Sequence, residues 1–178
     1  MFINKYVLYL WRKQNHYFVM RSISTLFLQA VIVLIGMVAL VILIRFPLSE
    51  GRAANLDLFH IYVDPLILFG YATSIAFFIG LYQAFKLLGY IGQNKIFSPN
   101  SVKTIKRIKY CAIVLSMCIV IAGLYIIVTH DKEDDAAGFI SLCIMTTFVS
   151  IVVATAAAIF EKLLQNAVDM KSENELTI

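Results

Sequence analysis

Three side chains able to ligate a metal or move a proton fall together in the stretch NLDLFHIYVDP: Asp57, His60 and Asp64, at spacings of three and four. If that stretch is helical, two carboxylates and an imidazole share one face. A second polar connector adds His130, Asp131, Glu133, Asp134 and Asp135. Oxygen and imidazole donors of this kind suit a divalent cation. The same residues also have plainer work. Asp64 stands directly before Pro65, the pattern of a helix cap followed by the proline favoured at the first helical position. Acidic residues between apolar segments also keep a connector in water. The reading is therefore no metal and no cofactor, with Asp57, His60, Asp64 and His130 as the candidate ligands if a metal binds. Motifs for other chemistry are absent: the chain has no HExxH, no GxSxG, no phosphate-binding loop and no dinucleotide glycine pattern. No acid, base and nucleophile cluster suited to lipid or peptidoglycan chemistry stands out either, and the chain reads as a non-enzyme.

The elements around these residues follow from composition. Hydrophobic residues make up 61% of the 178, too many to be coated by the remaining polar surface of a soluble domain. Four runs, 23–44, 65–88, 110–128 and 138–160, are nearly free of charge, and each is about as long as a helix crossing the hydrocarbon core. The first is too long for a signal peptide and has no small-residue cleavage site after it. The run LFLQAVIVLIGMVALVILI is apolar on every side, unlike the alternating strands of a membrane barrel. The expected fold is all-α: a single integral membrane domain, a four-helix bundle.

Lys and Arg set the expected orientation. Lys5, Arg12, Lys13 and Arg21 precede the first run, and Lys95, Lys103, Lys106, Arg107 and Lys109 lie between the second and third. The other two connectors hold only Arg45, Arg52 and Lys132. The positive-inside rule then places both termini in the cytoplasm, with the loop 89–109 and the tail 161–178. The aromatic and basic N-terminal segment reads as a headgroup anchor, and the first outer connector, with Phe59 and Tyr62, as a cap on the bundle.

In KIFSPNSVKTIKRIKY, residues 95–110, Ser98 is an N-cap and Pro99 a first helical residue, so a helix is predicted to start here and run into the third span. Val102, Ile105 and Ile108 share a face. Lys103, Lys106 and Arg107 point elsewhere, as in a short interfacial helix whose basic side meets anionic headgroups. No nucleic-acid-reading module accompanies these charges, and no direct nucleic-acid contact is expected. The tail carries Glu161, Asp169, Glu173 and Glu175, with Leu163, Leu164, Ala167 and Val168 at helical spacing. It reads as an amphipathic extension of the fourth span to about Lys171. Two readings stand side by side: the tail packs against the basic loop helix in a small cytosolic subdomain, or it is a solvated extension. The first predicts that reversing the charges of Lys106 and Arg107 loosens the tail.

The loop GQNKIFSPNSVKTIKRI followed by a span, and the ending IFEKLLQNAVDMKSENELTI, together resemble a DUF2975-like family of uncharacterised bacterial four-span membrane proteins. The resemblance runs from about Leu66 onward. It rests on Phe97, Ser98, Asn100 and Val102 in the loop and on Phe160, Glu161, Glu173, Asn174, Leu176, Thr177 and Ile178 at the end. Members are often encoded beside a small helix-turn-helix regulator. The resemblance thus implies a membrane-bound partner or sensor, with no activity and no catalytic residue attached.

Inside the bundle, Ala72, Ala76, Gly80 and Ala84 recur every four residues, as do Ser150, Ala154 and Ala158. Such ridges let helices approach closely within the monomer or at a homo-oligomer seam. Gln29, Thr73, Ser74, Thr146 and Thr147 can add hydrogen bonds between or along helices. No ionisable group lies at mid-membrane depth, which disfavours an ion-driven transporter. Cys111 and Cys143 fall near opposite ends of their spans, too far apart to bridge, so the three cysteines read as packing residues. The expected function is a membrane partner or sensor in the bacterial inner membrane that relays to a cytosolic regulator through the basic loop and acidic tail. The alternative is a small transport or channel component acting as an oligomer.

Overall fold

The computed structural model describes residues 24–45, 65–129 and 137–176. Among the described residues all regular structure is helical. α1 is Ser24–Arg45, α2 Pro65–Gly92, α3 Pro99–Thr129 and α4 Ala137–Leu176. Each contains an apolar window long enough to cross a membrane. Large apolar side chains such as Leu34, Ile144 and Phe148 stand outward along the bundle, as the surface of a protein solvated by lipid requires. Within the described residues the four apolar runs fall inside these helices, the first residue of the first run, 23, lying outside them. α3, however, starts eleven residues before its run and α4 continues sixteen beyond, so both carry long polar ends.

Each helix packs against its predecessor. α1 and α2 are antiparallel and meet at glycine. A Cβ on Gly36 would lie 3.1 Å from Leu81 Cδ2, and one on Gly92 would lie 3.2 Å from Thr25 Oγ1. Two side-chain bonds fix the same register: Gln29 Nε2 donates to the Phe85 carbonyl at 3.3 Å and Tyr71 Oη to the Leu43 carbonyl at 3.3 Å. A polar group in an apolar medium must find such a partner, so these bonds hold α1 against sliding. Gly80 brings α2 close to Cys111 of α3, where an added Cβ would lie 3.4 Å from that residue's own. α3 packs most extensively on α4.

Of the small residues expected to pack, Gly80, Ala84 and Ser150 line the cleft between α2, α3 and α4, and Ala76 and Ala154 are half-buried. Ala72 and Ala158 are exposed, and the buried alanine of α4 is Ala157. The reason is geometric. Steps of four advance about 40° too far around a helix, whereas steps of seven fall short by only about 20°. The inward row of α4 is therefore Cys143, Ser150, Ala157 and Leu164.

α2 ends and α3 begins in a tight hairpin over residues 93–98. The Lys95 N–H donates to the Tyr90 carbonyl at 2.9 Å and the Asn94 N–H to that of Ile91 at 3.2 Å. Asn94 itself sits at φ 57°. This is a Schellman closure with asparagine in the left-handed position that glycine usually takes.

Candidate functional site

The polar ends of α3 and α4 come together with the hairpin in a small lobe, and local sequence explains how. Ser98 caps α3 as its spacing predicts: its Oγ accepts from the Ser101 N–H at 3.4 Å, and its carbonyl accepts from the same N–H at 3.0 Å. Pro99 follows in the position where its missing N–H costs nothing. Ser101 is fully buried. Its hydroxyl donates to the Lys95 carbonyl at 3.0 Å, so the proton in its 3.1 Å contact with Ser98 Oγ comes from Ser98. One turn on, the buried Thr104 returns its hydroxyl to the Asn100 carbonyl at 2.8 Å.

These caps aim Val102 and Ile105 at the extension of α4. Val102, Ile105, Ala157 and Leu164 form one buried cluster, with Leu87, Ile96, Ile108 and Val168 packed around it. Of the two readings of the tail, the structure takes the packed one. The face formed by Val102, Ile105 and Ile108 is accordingly covered by protein rather than laid on headgroups. Full burial of a side chain such as Leu164 contributes about 1.5 to 3 kcal/mol.

One ion pair closes the lobe on its bundle side. Lys109 Nζ lies 2.5 Å from Glu161 Oε2, with both side chains largely covered, and 5.2 Å from the centre of the Tyr110 ring. The hydrogen bond to Glu161, more than the bare charge, holds the Lys109 pKa above its ordinary 10.5. The pair links positions 52 apart in sequence, and Lys109 had no particular mark in the sequence beyond belonging to a basic run. Lys103, Lys106 and Arg107, by contrast, are exposed along the outer side of α3, as are Phe97 and Asn100 in the hairpin and the first turn. Glu173 is exposed near the end of α4, and Glu175 follows it in the last turn.

The helix outlasts the expected limit at Lys171 and runs to Leu176. Gln165 Nε2 donates to Asp169 Oδ1 at 2.9 Å, and the Ser172 hydroxyl donates to the Asp169 carbonyl at 2.8 Å. Pairs four apart support polar helical turns of this kind.

Asp57, His60, Asp64 and His130 lie outside the described residues, as do the N-terminal segment expected to anchor at the headgroups and the connectors 46–64 and 130–136 expected on the outer side. Among the described residues, no group of three or more His, Cys, Asp or Glu side chains converges. An apolar cleft of about 350 Å³ lies between α2, α3 and α4. A second of about 230 Å³ is lined by Thr73, Cys118 and Cys143. Among the described residues, the buried Thr73 Oγ1 and Gln83 Oε1 find no hydrogen-bond partner. What the arrangement offers chemically is a shaped, charged surface on a rigid base.

Four spanning helices, two of them prolonged into a shared lobe at one end, define a polytopic helical membrane protein. The chain belongs to the family described as "Protein of unknown function (DUF2975)", which it matches over residues 31–178. The match thus takes in most of α1, further toward the N-terminus than the motifs alone indicate. The chain is also similar to the uncharacterized membrane protein YoaS of Bacillus subtilis (strain 168): 42% identity over 161 residues, covering 89% of this chain and 100% of YoaS. No solved structure matches it.

Proposed function

We propose that the protein is a non-enzymatic partner or sensor of the bacterial cytoplasmic membrane that relays to a cytosolic regulator through the lobe at the hairpin end. The observation that carries this reading is the packing of Leu164 and Val168 on Val102 and Ile105, which fixes a surface outside the apolar spans and joins it directly to two of them. Lys103, Lys106 and Arg107 on one helix and Glu173 on the other give that surface both signs of charge. The basic excess at this end supports a cytoplasmic lobe with both termini on the same side. The regulator this reading favours is a small helix-turn-helix protein that docks on the lobe and contacts nucleic acid itself, the membrane protein making no such contact. Among the described residues the clefts between the helices are lined mainly by apolar side chains, with the hydroxyls of Thr73, Thr146 and Ser150 as exceptions and no charged group, which favours interaction over transport.

The test is a crosslinking pull-down from native membranes. The intact chain is compared with one truncated after Lys162 and with a Lys103→Glu, Lys106→Glu, Arg107→Glu variant. Recovery of one regulator that falls away in both variants is the expected result. Recovery of only lipid and the bait, or of partners indifferent to both changes, overturns the reading. Reporter fusions at the C-terminus check the orientation independently.

A further inference from the structure

The extension of α4 has a second apolar face that nothing within the described chain covers. Leu164 and Val168 point into the lobe. Lys162, Gln165, Asn166, Asp169 and Glu173 form an exposed polar face. Between these two, Phe160, Leu163 and Met170 are 58%, 58% and 60% exposed, with the half-buried Ala167 among them. Phe160, Leu163, Ala167, Met170 and Asn174 follow one another at steps of three, four, three and four. That is the seam spacing of a coiled coil rather than the broader stripe of a helix lying on its own core.

Three observations say what covers it. First, the apolar run of the fourth span ends at Phe160, and Met170 lies ten residues beyond it, about 15 Å along the axis and more than the thickness of a headgroup layer, so acyl chains at the end of that run do not reach the far half of the face. Second, α4 is one unbroken helix, and the same three-and-four steps continue back through the exposed Ala156 and Val153. A single partner helix that follows the seam along this continuation must itself enter the membrane. Third, the seam ends on Asn174 in an a position, where a polar residue sets the register of a parallel pair. Two copies inserted in one membrane share an orientation, so their α4 helices are necessarily parallel.

We infer that two copies of this chain associate through parallel α4 helices, with residues 160–174 forming a short coiled coil beyond the membrane. This seam is on a different side of the extension from the packed face that carries the regulator reading, and on a different helix from the exposed cations reversed in its test, so either can fail without the other.

The test is single-cysteine crosslinking in native membranes, in a background with Cys111, Cys118 and Cys143 replaced by alanine. Leu163→Cys, Ala167→Cys and Met170→Cys are compared with Lys162→Cys, Asn166→Cys and Asp169→Cys. Disulfides form only where the two α-carbons come within about 7 Å, so a dimer band is expected at 163, 167 and 170 and not at 162, 166 and 169. Bands of equal strength on all faces, or no dimer at any position, overturn the inference. Co-purification of two differently tagged copies gives a second readout with the native cysteines in place. Leu163→Asp, at a position exposed in the single chain, should abolish it, and undiminished recovery counts against the seam.

Discussion

The hydroxyl of Ser101 donates to the main-chain carbonyl of Lys95 across the hairpin, at 3.0 Å and with Ser101 wholly out of solvent. Lys95 is thereby held from both sides: its N–H closes α2 through the Tyr90 carbonyl, and its carbonyl opens α3. The connection between two spanning helices is a fixed joint built from main-chain bonds and two serines.

Ser101→Ala removes both the donor to the Lys95 carbonyl and the acceptor of the Ser98 hydroxyl, at a cost of about 1 to 3 kcal/mol. Ser98→Ala removes only the cap, costing about 1 kcal/mol. Thermal unfolding in detergent should rank Ser101→Ala below Ser98→Ala, and the reverse order contradicts the assigned joint.

Leu164→Ala should destabilise by roughly 2 to 5 kcal/mol, since it opens a cavity in the lobe's cluster, and should expose the tail to trypsin at Lys162 and Lys171. Reversing Lys106 and Arg107 should leave that digestion unchanged, because both side chains are exposed while apolar packing and Lys109 hold the tail. Cleavage that follows the charge reversal instead would restore the electrostatic account.

The Lys109–Glu161 pair makes the lobe sensitive to alkali. A lysine whose folded pKa is raised stabilises fully below the unfolded value of 10.5, and that contribution disappears as pH climbs through the higher folded value. The intact chain should therefore exceed Lys109→Met in Tm at pH 8 and converge with it in strong alkali. A gap that persists there would assign the loss to packing of the lysine stem.

Gly36→Leu should separate α1 from α2, because the site is already closed by Leu81 at 3.1 Å, with a cost of about 1 to 3 kcal/mol from overpacking. Gly70→Leu is the matched control, since nothing lies within 4 Å of a Cβ placed there. Since leucine is the better helix former at both sites, a loss at Gly36 no larger than at Gly70 would mean that the contact with Leu81 does not decide.

The ends of the spans, the Ser98 cap and the start of α3 were legible because each is marked by contrast: apolar against charged, serine and proline against a helical run. Facing was not. Within helices apolar on all sides there is no periodic signal, so the alanine row was misplaced from Ala157 to Ala158, and the register of α1 on α2 waited for Thr25, Gln29 and Gly92 to be seen together. The partner of Glu161 was hidden for a different reason. Five cations lie in the basic loop, and only the orientation of α3 singles out Lys109. The packing of the tail was one of two open readings, since amphipathic spacing shows that a face needs cover without naming the cover.

α4 is a single rod of forty residues, about 60 Å long and roughly twice the hydrocarbon thickness. Its sixteen residues past Phe160 make an arm of about 24 Å, so a 10° change of tilt in the bilayer swings the free tip by about 4 Å. Where a change in bilayer thickness alters tilt, an arm of this length would enlarge it at a distance, and the clasp on Val102 and Ile105 would make the start of α3 travel with it.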